Sequence, residues 1–168
     1  HADGGGSCLL GPSPGNRFGL MSGLNHPEFN SHLLIPAGGT REPFWQKSLQ
    51  NKRHFRHKGS AENANIVDLY INSYLQIIND NCVLNGIGVG KLSYLITNQV
   101  RKEIRYKIAK VLNVKPEYYP ETYQYLGHLG SADLILSLNK IFSNKPDPGT
   151  IMCSASTPST YCAMPLFL

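Results

Sequence analysis

Two stretches of this sequence hold polar side chains where proteins commonly do chemistry. In Tyr94-Leu95-Ile96-Thr97-Asn98-Gln99 a short apolar run reads as a buried strand and ends on a carboxamide pair. Val100, Ile104, Ile108, Val111 and Leu112 then recur at helical spacing. Asn98 thus falls at a strand-to-helix turn, and in open α/β sheets the crevice outside the carboxyl ends of strands is the usual place for ligands. The second stretch runs from Tyr123 to Leu126, read as a short strand, into Gly127-His128-Leu129-Gly130-Ser131-Ala132. Ser131 is suited to cap a helix over 132–142, and His128 repeats the topology of Asn98, so the two turns could face one crevice. Each residue also has a plain structural reading: Asn is a preferred N-cap, and a lone histidine is more often structural than catalytic.

The remaining elements must position these turns. Ile66, Leu69, Tyr70, Tyr74, Ile77 and Ile78 form a helical stripe that reads as core and is closed by Asn85-Gly86. Gly86, Gly88 and Gly90 lack the spacing of a nucleotide fingerprint and read as a turn before the Tyr94 strand. Residues 113–120 are a connection. Leu134, Ile135, Leu138, Ile141 and Phe142 give the helix after His128 its apolar face, and the tight turn 145–149 leads to two terminal strands, 150–153 and 161–168. At the other end, Gly4-Gly5-Gly6 opens a short strand through Leu10 and permits close backbone approach. It lacks the lysine of a phosphate-binding loop. Residues 18–24 read as a further strand, and 26–43 as loop.

With 168 residues, 41% hydrophobic and 16% charged, the chain has the size and composition of one globular domain. The four cysteines, Cys8, Cys82, Cys153 and Cys162, show no CxxC pairing and sit among small or apolar neighbours, as buried free thiols do. A reducing, cytoplasmic setting is expected. No apolar run approaches the length needed to span a bilayer. His26 and His32 have no ligand partner at helical spacing, so no metal site is expected. The net charge of +5 is concentrated in two patches, Arg41 to Lys58 and Arg101 to Lys110, which would attract acidic partners. The first, a basic loop or insertion over 41–60, interleaves Phe44, Trp45 and Phe55 with its bases, a pattern that can stack on and neutralise nucleic acid.

In order along the chain, these motifs resemble the C-terminal half of ketoacyl-acyl-carrier-protein synthase III and its condensing-enzyme relatives in the thiolase superfamily. Asp3-Gly4-Gly5-Gly6 resembles the family's Gly-Asp-Gly-Ala-Gly strand, and Thr97-Asn98-Gln99 its His-Gln-Ala-Asn motif. Tyr125-Leu126-Gly127-His128 with Ser131-Ala132 resembles the Gly-Asn-Thr-Ser-Ala turn. Residues 149–168 resemble the last two strands, which flank the Phe-Gly-Gly-Gly loop. The resemblance implies an α/β fold, a thiolase-like half with a mixed β-sheet and helices on both faces. Residues 1–168 would form a single C-terminal domain, and an absent N-terminal half would carry the nucleophilic cysteine.

By the same resemblance, the activity is that of an acyltransferase of fatty-acid or polyketide biosynthesis. It would condense an acyl thioester with a malonyl thioester, with loss of carbon dioxide. The family's histidine and asparagine hydrogen-bond the thioester carbonyl where negative charge develops, and a neutral imidazole or a carboxamide can supply such a donor. Here Asn98 stands where the family has histidine, and His128 where it has asparagine, so two donors could still converge. Ser154-Ala155-Ser156-Thr157-Pro158-Ser159 replaces the glycine-rich loop, and none of the four cysteines matches the nucleophile. The isolated chain is therefore expected to be inactive.

Arg101, Lys102 and Arg105, directly after the Asn98 turn, are the expected docking residues for an acidic acyl carrier protein. The family's docking arginine itself falls at Glu103. Expected substrates are a coenzyme A thioester and malonyl-acyl-carrier-protein, with no cofactor, and a homodimer is implied. Two other readings stand beside this one: a non-catalytic homologue acting as scaffold or partner subunit, and, behind both, a basic nucleic-acid-binding domain.

Overall fold

The computed structural model describes residues 4–12, 14–27, 33–34, 56–57, 63–115, 119–157 and 159–168, with side chains from 67 onward in the first long helix. His32 and the basic segment 41–60 fall outside the described residues, apart from Arg56–His57. In chain order the elements are β1 (Arg17–Phe18), β2 (Ser22–Asn25), β3 (Leu33–Leu34), β4 (Arg56–His57), α1 (Asn63–Leu84), β5 (Leu92–Ile96), α2 (Lys102–Val111), α3 (Tyr123–Leu126), α4 (Ala132–Ser143), β6 (Thr150–Ser156) and β7 (Thr160–Phe167). The main sheet has the order β1-β7-β6-β5, and β2 also pairs with β7. β5 and β6 are parallel and β6 and β7 antiparallel, so the sheet is mixed.

Strand alternation sorts the core into two layers. Leu95 of β5, Met152 of β6 and Tyr161 and Ala163 of β7 face α1 and α2, where they meet Tyr74, Ile77, Ile78, Cys82, Ile108 and Leu112. Tyr94, Ile96, Ile151, Cys153 and Leu166 face the opposite way, against Ile141, Leu134 and Leu138 of α4. Helices thus cover both faces, and each of these buried aliphatic side chains stabilises the fold by roughly 1.5–3 kcal/mol. α1 ends as expected at Asn85-Gly86. Gly86 takes φ +65, and the bonds Ile87 N to Cys82 O (2.8 Å) and Gly86 N to Val83 O (3.2 Å) close the helix in a Schellman motif.

Several sequence expectations are corrected. The strand expected over 18–24 is split into β1 and β2, because Pro165 in β7 accepts a bond from Gly19 N at 2.8 Å but has no N–H to return. The side chains of Asn81 and Asn85 take over, both donating to Leu20 O at 3.0 Å. Residues 4–10 form no strand and are exposed. The close approach expected of their glycines does occur: a Cβ on Gly4 would lie 2.9 Å from Leu129, and one on Gly6 2.9 Å from Ile135. Tyr123–Leu126 is a helical turn rather than a strand, since Gln99 Oε1 draws in the backbone N–H groups of Thr122 and Tyr123, at 3.0 and 3.3 Å. In α2 the buried positions are Arg105, Ile108 and Ala109, followed by Leu112 at its C-cap, and Val111 points outward. The helix is therefore turned from the purely apolar stripe, with an arginine in its buried face.

Candidate functional site

Asn98 follows β5 directly and is 4% exposed. It does not cap α2, whose N-cap is Arg101 without a side-chain bond. Its carboxamide reaches back across the sheet instead. Oδ1 accepts from Ser156 N at 2.7 Å and from the Tyr74 hydroxyl at 3.0 Å. A backbone N–H can only donate, so the amide's orientation is fixed and Nδ2 is turned away as a donor. That nitrogen makes no hydrogen bond among the described residues. Burial, the largest cause, and the neighbouring Tyr70 push the Tyr74 phenol well above its usual range, so Tyr74 keeps its proton. Ser156 Oγ extends the chain to the Tyr70 hydroxyl at 2.9 Å.

His128 lies after Gly127, which turns the chain at φ +70. Its Nδ1 is 2.5 Å from Asp133 Oδ2. The Asp133 carboxylate, fully buried, also accepts from Leu129 N (2.9 Å) and from Gln99 N (2.8 Å). Burial acts to raise its pKa, but the bonds from His128, Leu129 N and Gln99 N outweigh burial and hold it below the usual carboxylate range. An ionised carboxylate cannot donate, so His128 Nδ1 is the donor in the bond to Asp133. Ser131 stands at the N-cap of α4 without the side-chain bond expected of it; Asp133, in the first turn, does the local bonding.

The two turns expected to share one crevice are joined at this carboxylate, which binds the backbone next to Asn98 and the ring of His128. Gln99 forms the floor. Its Oε1 accepts from Arg105 Nη1 at 3.0 Å, and its Nε2 donates to Pro120 O at 3.0 Å.

Arg105 departs from the expectation for it. It is 1% exposed and donates to Val100 O (3.1 Å), Gln99 Oε1 (3.0 Å) and Glu121 Oε1 (3.0 Å). It therefore offers nothing to a docking partner. Arg101 and Lys102 are exposed, and Lys102 Nζ lies over the Tyr106 ring at 5.3 Å from its centre.

The cysteines differ in setting. Burial pushes the Cys153 thiol up to about 12 and raises that of Cys82, so neither is poised as a nucleophile. Cys8, expected to be buried, is exposed. His26 meets Ser73 Oγ at 2.9 Å, and no cluster of metal-ligating residues occurs among the described residues. A depression of about 240 Å³ lined by Leu92, Ser93, Tyr94, Asn113, Lys115 and Asp147 opens at the amino end of β5, away from these turns. Among the described residues no helix is long and apolar enough to cross a membrane.

Sequence reasoning marked Asn98 and His128 as candidates but did not mark the groups they bond to, Asp133, Tyr74 and the backbone of Ser156. Asp133 is an acid in the first turn of a helix, where acids are common for dipole reasons alone. The one signal was its position five residues after a glycine-flanked histidine.

Comparison with known proteins agrees with this architecture. Residues 82–164 match the family described as 3-oxoacyl-[acyl-carrier-protein (ACP)] synthase III C terminal. A beta-ketoacyl-[acyl-carrier-protein] synthase III of Chlamydia muridarum is 26% identical over 142 residues, 83% of this chain and 42% of that protein. The crystal structure of 3-oxoacyl-[acyl-carrier-protein] synthase III from Aquifex aeolicus aligns with a TM-score of 0.69 at 15% identity, over 88% of this chain and 43% of that one. The synthase III of Thermus thermophilus aligns with a TM-score of 0.74 at 11% identity, over 93% and 47%. The chain thus spans less than half the length of these relatives. Mixed sheet and helices on both faces give this chain the fold of one half of these synthases, and residues 82–164 are similar to the family's C-terminal part.

Proposed function

We propose that this domain is the C-terminal half of an acyltransferase that takes an acyl group from a thioester and condenses it with a malonyl thioester, with loss of carbon dioxide. The observation that carries this reading is the Asn98 amide. Its oxygen is saturated by Tyr74 and Ser156, which leaves its nitrogen as the donor that the developing negative charge on a thioester oxygen requires. An N-terminal half supplies the cysteine nucleophile, and the present chain is inactive by itself. Coenzyme A and acyl carrier protein are the thioester carriers, with Arg101 and Lys102 as the docking charges. The working protein is a cytoplasmic homodimer.

The test is an assay of the protein together with its N-terminal half for acyl transfer onto the cysteine and for malonyl condensation. Asn98→Ala should lower condensation about 10²–10³-fold. Wild-type protein that neither acylates nor condenses, yet retains a carrier protein or a second synthase, would favour a scaffold. One observation favours that second reading: Ser156 N, in the segment that replaces the glycine-rich loop, is already committed to Asn98.

A further inference from the structure

We infer that Tyr74 is a positioning residue for the condensation step: with the backbone N–H of Ser156 it forms a two-donor seat for the Asn98 amide oxygen, and so holds Nδ2 towards the reacting carbonyl. This rests on the thioester reading above and deepens it, adding a residue of α1 to a site otherwise built at the ends of β5 and β6. Asn98 Oδ1 carries no proton, so it can only accept in its contacts with Ser156 N at 2.7 Å and with the Tyr74 hydroxyl at 3.0 Å. Two donors from different elements thus converge on one atom. Turning the amide over would set its NH₂ group against both and leave both unsatisfied.

The phenol is itself held in place. Tyr74 is fully buried, and its ring meets those of Tyr70 and Tyr161 edge-on, with centroids 5.0 and 5.4 Å away. Its hydroxyl lies 3.0 Å from Ser156 Oγ, which in turn lies 2.9 Å from the Tyr70 hydroxyl. Ser156 therefore serves twice, through its N–H to Asn98 and through its hydroxyl to the two phenols. Burial raises the Tyr74 pKa well above its usual range, so the proton that Asn98 needs is retained. A phenylalanine would fill the same core position, and the hydroxyl alone serves the amide. Such a seat matters because a donor stabilises developing charge only if it is in place beforehand, and misplacement by about 1 Å can cost about 10²-fold. A donor on the amide oxygen also polarises the amide and strengthens its N–H groups as donors.

Tyr74→Phe keeps the ring and deletes one hydroxyl. On the protein with its N-terminal half, kcat for condensation from pre-acylated enzyme should fall about fivefold, with KM for the malonyl thioester, the rate of acyl transfer and the circular dichroism of the folded protein unchanged. The deciding comparison is made in the Asn98→Ala background. If Tyr74 acts through Asn98, adding Tyr74→Phe there costs nothing further. A second fivefold loss would mean that the phenol acts through the core, and overturns the inference while leaving Asn98 as the donor. Undiminished condensation by Asn98→Ala would sink the donor reading and this inference with it. Nitrogen-15 NMR of the Asn98 side-chain amide reads the seat independently of any activity. Its resonances, assigned by their absence from Asn98→Ala, should shift and broaden in Tyr74→Phe; unchanged resonances overturn the inference even in a working synthase.

Discussion

Arg105 and its neighbours Arg101 and Lys102 should separate cleanly under substitution. Arg105→Met strips a buried charge from Gln99 and Glu121 and should destabilise the fold by about 3–5 kcal/mol, measured by urea unfolding. Alanine at Arg101 and Lys102 should leave stability within about 0.5 kcal/mol and weaken carrier-protein binding in a salt-dependent way. Tyr74→Phe removes the hydroxyl that donates to Asn98; a loss of about 1 kcal/mol is expected. At this scale the sequence disclosed residues whose chemistry is unusual for their place, Asn98 after a strand and His128 between glycines. It concealed those whose place is ordinary. Arg105 sits among exposed bases and Asp133 in a helix's first turn, and only tertiary contact shows that one closes the floor and the other orients a histidine.

Between elements, the described glycine with the least room for a side chain is Gly149, where the turn before β6 passes β5. A Cβ on Gly149 would lie 2.0 Å from Ser93 Oγ and 2.7 Å from Ser93 Cβ, at the point where the β5–β6 register shifts between Leu92 and Tyr94. Gly149→Ala should therefore push the parallel pair apart and cost about 1–3 kcal/mol, read as a fall in thermal midpoint, whereas Gly90→Ala, with open space around it, should be nearly neutral. Periodicity made the long elements legible: α1 buries Tyr74, Ile77 and Ile78 of its stripe, while α4 buries Ile141 of the face expected for it, leaves Phe142 exposed and turns Asp133 and Ser137 inward. It failed for α3, β1 and β2. Those pieces are too short to carry a period, and a glutamine from another element or a proline in the partner strand decides their form.

For the molecule as a whole, acid should be the weak side. Asp133 is held below the ordinary carboxylate value when folded, so its contribution is fully present above about pH 4, the unfolded value, and is lost as pH falls through the folded value. Urea unfolding from pH 6 downward should show wild type and Asp133→Asn converging at the acid end. The fold's class was legible because motif order survives where identity does not. The topology also has a consequence for how the chain is made. Among the described residues β1 and β2 pair as strands only with β7, with Arg17 opposite Phe167 and Ser22 opposite Ala163, so residues 17–25 leave the ribosome long before their template exists. Until β7 emerges they have no ladder to join, and contacts so distant in sequence form slowly. A nascent chain stalled before Thr160 should leave 17–25 open to proteases and chaperones after α1 has already formed.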